Sequence, residues 1–134
     1  MSVGLLLITH KNIATSLLDS AKQMLDSSPL ATRALEVPLD YPVDDILTSA
    51  KKHIQHLDTG NGVLILTDIY GATPANIGKK LCEENDCTLV AGINLPMLIR
   101  ILNYPQLSKE NMALKAISGG HDGILLCEHD DEKQ

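Results

Sequence analysis

The feature that most constrains this chain is a series of short, unbroken apolar runs, each leading into a polar turn and then a helically spaced segment. Residues 3–8, Val63-Leu64-Ile65-Leu66 and residues 88–93 leave no polar face. A strand that is apolar on both sides must be covered on both sides, as in a parallel sheet with helices on each face. Between the runs, Ile13, Ala14, Leu17, Leu18, Ala21, Met24 and Leu25 share one helical face, and Val43, Ile46, Leu47, Ala50, Ile54 and Leu57 share another. A weaker strand over residues 34–39 contains Glu36 and Pro38, which suit a sheet edge. A third helix is predicted from Pro74 to about Glu84, and a short fourth carries Leu98, Ile101 and Leu102. Ser108 caps a last helix that stops at Gly119-Gly120. Residues 123–127 read as a final strand, and residues 128–134 as a charged, frayed tail. The order predicts a doubly wound α/β fold with a mainly parallel sheet, forming one domain over residues 1–134. Periodicity leaves open whether the final strand is antiparallel or belongs to a neighbouring copy.

Composition narrows the function. Aromatic residues are 2% of the chain, three tyrosines with no Phe or Trp, so the core is aliphatic. A net charge of −6 and so few stacking side chains argue against nucleic-acid binding. The apolar run near the N-terminus is too short for a signal sequence or a membrane span and follows no basic leader. The cysteines (Cys82, Cys87 and Cys127) are odd in number and form no CxxC pair. A reduced, cytoplasmic protein is expected, with any membrane connection made through a partner. Cys82 and Cys87 read as small hydrophobes packed in the fold. His53 and His56 are three apart on a helix but lack a third ligand, so no metal site or other cofactor is expected.

The chemistry lies at the strand ends. Ligand sites in such sheets sit beyond the carboxyl ends of the strands, where strand order reverses. In a flavodoxin-like order strands one and three flank that point. The first delivers Thr9-His10 and the third Thr67-Asp68, so the fold itself would bring His10 and Asp68 together. A carboxylate accepting from one imidazole N–H fixes the tautomer, leaves the other nitrogen a lone pair, and supports the charge that develops on attack. His10 is therefore predicted to carry a phosphoryl group. Thr9 and the turn Gly71-Ala72-Thr73 are predicted to bind phosphate, with Thr73 as N-cap and Pro74 at the first position of a helix whose amides face the turn. Tyr70, Asn94, Pro96 and Met97 are expected at the site wall or partner surface, with an exposed Met and Leu as a docking patch. A receiver domain would need an acidic pair after strand one, and a P-loop would need different glycine spacing; neither is present.

Three segments, Ile8-Thr9-His10, Thr67-Asp68-Ile69-Tyr70-Gly71-Ala72-Thr73-Pro74-Ala75-Asn76 and Gly92-Ile93-Asn94-Leu95-Pro96-Met97-Leu98, give the chain an end-to-end resemblance to a known family. It resembles the IIA component of the mannose-type bacterial phosphoenolpyruvate:sugar phosphotransferase system. The resemblance implies that His10 accepts phosphate from phospho-HPr and passes it to a IIB component on a separate chain, with Asp68 orienting His10. It implies four parallel strands plus an antiparallel strand exchanged in a homodimer, which residues 123–127 would supply. Contact with the membrane would come only through IIC and IID components. Ala72 stands where members usually have a second glycine, Tyr70 where Trp or Phe is common, and Lys11 where Gly is frequent. Two other roles are compatible with the same residues: a regulatory module whose binding depends on His10 phosphorylation, and the phosphotransfer subunit of a dihydroxyacetone kinase.

Overall fold

The computed structural model of the protein describes residues 2–26 and 29–128. Its elements run β1 (Gly4–His10), α1 (Ala14–Met24), β2 (Thr32–Val37), α2 (Val43–Leu57), β3 (Val63–Thr67), α3 (Thr73–Glu84), β4 (Cys87–Ala91), α4 (Leu95–Leu102) and α5 (Lys109–Asp122). The four strands form one parallel sheet in the order β2-β1-β3-β4. The strand carrying Glu36 is thus an edge, as its mixed polarity predicts.

Strand alternation sorts the apolar runs onto two cores. Leu5 and Leu7 of β1 and Leu64 and Leu66 of β3 face α1, α4 and α5, while Leu6, Ile8, Val63 and Ile65 face α2 and α3. Leu5, Leu6, Leu7 and Ile8 are all fully buried. Each such side chain contributes about 2 kcal/mol relative to exposure. This is why the two central strands are apolar up to their last residues, Thr9-His10 and Thr67, whereas β2 need not be.

Several boundaries differ from the sequence expectation, and β2 and β4 each end two residues earlier than expected, at Val37 and Ala91. Ala72, not Thr73, occupies the N-cap of α3, and no side chain caps that end. Thr73 is the first helical residue, so Pro74 falls one position later than expected. Helix α5 does not stop at Gly119-Gly120 but continues to Asp122. These glycines serve close packing: a Cβ added at Gly119 would lie 2.5 Å from Cβ of Arg100 on α4. Residues 123–127 join no strand within their own chain, and Ile124, Leu125 and Leu126 are about three-quarters exposed, at 73%, 75% and 79%. The outer edge of β4 is unpaired among the described residues. Apart from Glu128, the expected charged tail lies outside the described residues. No helix among the described residues is long and apolar enough to cross a membrane.

Candidate functional site

The sheet order puts the ends of β1 and β3 side by side, and their ladder closes at the pair Ile8 and Thr67. Beyond that pair the Asp68 carboxylate takes over from the backbone. Its Oδ2 accepts from the His10 amide at 2.9 Å and from the His10 ring Nδ1 at 2.7 Å. Its Oδ1 accepts from the Ile69 amide at 3.0 Å and lies 3.4 Å from the Thr67 hydroxyl. Partial burial opposes ionisation of Asp68, but hydrogen bonds from the His10 amide and ring and the Ile69 amide outweigh it. The carboxyl is held below its ordinary range.

A carboxylate only accepts, so Nδ1 of His10 is the protonated nitrogen and Nε2 keeps its lone pair. The Asp68 side chain is 11% exposed and that of His10 36%. The pair therefore has a largely buried anchor and a partly exposed ring. One carboxylate oxygen grips both the main chain and the ring of His10, so backbone register and ring orientation are fixed together.

The other expected site residues divide. Gly71 adopts φ 87°, in the left-handed region where only glycine is unstrained, and turns the chain from Asp68 into α3. Ala72 and Thr73 begin that helix, and Thr73 is exposed. Tyr70 is 74% exposed, with the Lys79 ammonium 5.5 Å from its ring centre. Thr9 is a correction. It is fully buried, its hydroxyl donating to the His10 carbonyl at 2.8 Å and accepting from the Ala14 amide at 2.9 Å. It supports the turn into α1 and offers nothing to a phosphate.

Met97 and Leu98 are likewise not exposed, at 3% and 0%, and belong to the core under α4. Asn94 caps α4, its Oδ1 accepting from the Met97 amide at 2.9 Å while its Nδ2 donates to the Gly120 carbonyl at 3.2 Å. The expected docking patch of Met and Leu is therefore absent; of that segment's expected wall residues only Pro96 is exposed.

A different apolar surface lies beside His10. A cleft of about 560 Å³ is lined by His10, Lys11, Val37, Pro38, Leu39, Asp40 and Tyr41, with Leu39 93% and Tyr41 49% exposed. Sequence reasoning missed it, although the signal was present. An edge strand paired with β1 must deliver its following loop to the same end of the sheet as His10.

The fold and site define a small doubly wound α/β protein with a histidine held by a carboxylate at the switch point of its sheet. The comparisons with known proteins narrow this. The family model described as "EIIA-man: PTS system fructose IIA component" matches residues 4–118, and the chain belongs to this family. It is 25% identical over 127 residues to the PTS system mannose-specific EIIAB component of Escherichia coli K12, covering 92% of this chain and 39% of that protein. The chain thus spans about two-fifths of the length of that relative. It is also 29% identical over 112 residues to the transcriptional regulatory protein LevR of Bacillus subtilis, covering 79% of this chain and 12% of that one. Among solved structures, the mannose/sorbose-specific IIA subunit of Enterococcus faecalis superposes with a TM-score of 0.84. It shares 21% identity, with 96% of each chain covered, so this likeness speaks for the fold.

Proposed function

We propose that the protein is a phosphocarrier: His10 accepts a phosphoryl group from phospho-HPr and passes it to a IIB component for sugar uptake and phosphorylation. The observation that carries this reading is the 2.7 Å contact between Nδ1 of His10 and Oδ2 of Asp68, which leaves Nε2 as the nucleophile. On transfer an N–P bond forms at Nε2 as the donor's own bond to phosphorus breaks, and the donor keeps that electron pair. The ring then carries positive charge, which the ionised Asp68 offsets. The amides of Gly71, Ala72 and Thr73, at the open end of α3, are assigned to the phosphoryl oxygens. Positioning and electrostatics suffice for this chemistry, so neither a metal nor another cofactor is invoked.

Both partners must reach a ring that is only 36% exposed. The cleft bearing Leu39 and Tyr41 on one side and the exposed Ile69 and Tyr70 on the other give them apolar ground to dock on. We read residues 1–134 as one such domain, acting in the cytoplasm. It forms a homodimer in which residues 123–127 of one copy pair with the unpaired edge of β4 in the other. The exposed Ile124, Leu125 and Leu126 support that pairing.

A second reading has its own support, because one relative is named as a transcriptional regulatory protein. In it, phosphorylation of the same His10 changes what the protein binds, with little onward transfer. The test of the first reading is intact mass after incubation with enzyme I, HPr and phosphoenolpyruvate. Wild type is expected to gain one acid-labile phosphate and His10→Ala none. An uncharged wild type beside fully charged HPr sinks the relay reading. A charged wild type that never discharges to IIB components favours the regulatory one.

A further inference from the structure

The cysteines at the far end of the sheet do more than fill space. Cys82 lies in the last turns of α3 and Cys87 is the first residue of β4. A Cβ added at Gly78 of α3 would sit 2.9 Å from Cδ1 of Leu89 on β4, so these two positions face each other. Cys82 is four residues beyond Gly78, on the same helical stripe. Cys87 is two residues before Leu89, on the same face of the strand. Four helical residues advance about 6 Å and two strand residues about 6.6 Å. The helix runs back along the sheet, so both steps go in the same direction and bring the two thiols opposite each other. The packing agrees with this: Cys82, Cys87 and Leu89 all lie against the same apolar cluster between the sheet and helices α2 and α3, and both cysteines are only partly buried.

We propose that Cys82 and Cys87 form a reversible thiol–disulfide modification site that is oxidised by low-molecular-weight disulfides of the glutathione class. The two residues have distinct roles. The Cys87 thiol, which reaches the Asn85 carbonyl at 3.9 Å, favours the Cys82 thiolate when it turns its proton to that sulfur. Burial works against it, and the nearby Lys109 ammonium favours it again, with the net effect of lowering its pKa below that of an ordinary thiol. Lys109 is itself held in place by Asp86 at 2.9 Å and by Glu110. Cys87 is pushed the other way, by its hydrogen bond to Cys82, by burial, and by the negative charge around it. Cys87, whose thiol is engaged with the Asn85 carbonyl, is assigned the resolving role, and Cys82, on the side of Lys109, the attacking one.

The steps balance. The Cys82 thiolate attacks one sulfur of oxidised glutathione, forming a mixed disulfide and expelling one glutathione thiolate. Cys87 loses its proton and attacks the Cys82 sulfur, expelling the second glutathione as thiolate. Two electrons and two protons leave the protein, and one glutathione disulfide becomes two glutathione thiols. In a reducing compartment such a bridge is transient and responds to the redox poise.

The test uses the full chain with Cys127→Ser, equilibrated in glutathione buffers of rising oxidised fraction, then alkylated and weighed intact. The expected result is a loss of about 2 Da and of two alkylation sites, reversed by excess reduced glutathione. Adding Cys87→Ser is expected to trap one glutathione on Cys82. Adding Cys82→Ser instead is expected to slow reaction at Cys87 by tenfold or more. Circular dichroism of each variant verifies that the reacting chain is folded. The proposal is overturned if both thiols of the folded chain stay alkylatable in fully oxidised glutathione, or if bridges form only between two chains.

Discussion

The β3–α3 turn and the β4–α4 turn are written in the same backbone grammar. Each leaves a parallel strand, passes a glycine with positive φ (Gly71 at 87°, Gly92 at 95°), and enters a helix with proline in its first turn, Pro74 or Pro96. Their endings differ. Helix α4 is closed by Asn94, whose side chain takes the Met97 amide and ties the turn to α5. Helix α3 has Ala72 at its N-cap and no side-chain cap. An uncapped first turn leaves amide donors and positive potential unspent, and here it follows Asp68 by only a few residues. The β4–α4 turn is thus a closed structural joint, whereas the β3–α3 turn keeps the donors that the proposed phosphoryl site would use.

The largest test of this contrast is Asp68→Asn. Asparagine keeps the size and can still meet the ring, but its amide no longer enforces an N–H on Nδ1 of His10 or offsets charge on the ring. Phosphorylation of His10 is expected to slow by roughly 10²- to 10⁴-fold, read as the initial rate of mass gain with charged HPr. Asn94→Ala, the matching change in the other turn, should leave that rate within about twofold. It should instead cost about 1–2 kcal/mol of stability in urea unfolding, from a lost cap and a lost tether to Gly120. If Asn94→Ala slows phosphorylation as much as Asp68→Asn, the division between joint and site is wrong.

How far the sequence discloses this division depends on how local each signal is. The strands are legible because burial on both faces leaves no room for polar residues in Leu5-Leu6-Leu7-Ile8 or Val63-Leu64-Ile65-Leu66. His10 and Asp68 are legible because strand ends and sheet order follow from those runs. What fails to show is whatever depends on a neighbouring element. Gly119 and Gly120 look like a helix stop, yet they admit α4 at close range, so α5 runs on to Asp122. Met97 and Leu98 look like an exposed patch beside the site but are claimed by the core beneath α4 and α5. Thr9 looks placed for a phosphate, and only the turn into α1 reveals that its hydroxyl is already occupied.

A smaller and more pointed change is Ala72→Asp, which gives α3 the cap that α4 already has. The new carboxylate should accept from the first-turn amides and raise stability by about 0.5–1 kcal/mol. The same group competes with the phosphoryl oxygens for those donors and repels them. The melting temperature is therefore expected to rise while phosphorylation slows. A variant that gains stability and keeps the wild-type rate would show that the α3 amides take no part in transfer.

The smallest expected effect distinguishes the two turns by pH. Asp68 has a lowered pKa in the folded chain and takes an ordinary value near 3.8 when unfolded. Above 3.8 it is ionised in both states and its contribution to stability is complete. As pH falls through that value towards the folded pKa, the unfolded chain takes up the proton first and the contribution is lost. Asn94 does not titrate, so its cap and tether persist at every pH. Carboxylates elsewhere in the chain titrate alike in wild type and variants and cancel in the comparison. In urea unfolding as a function of pH, the gap between wild type and Asp68→Asn should shrink below about pH 4, whereas the gap to Asn94→Ala should stay constant. A gap to Asp68→Asn that holds steady into acid would mean that the contact with His10 does not depend on the carboxylate's charge, and the electrostatic account of the site would fail with it.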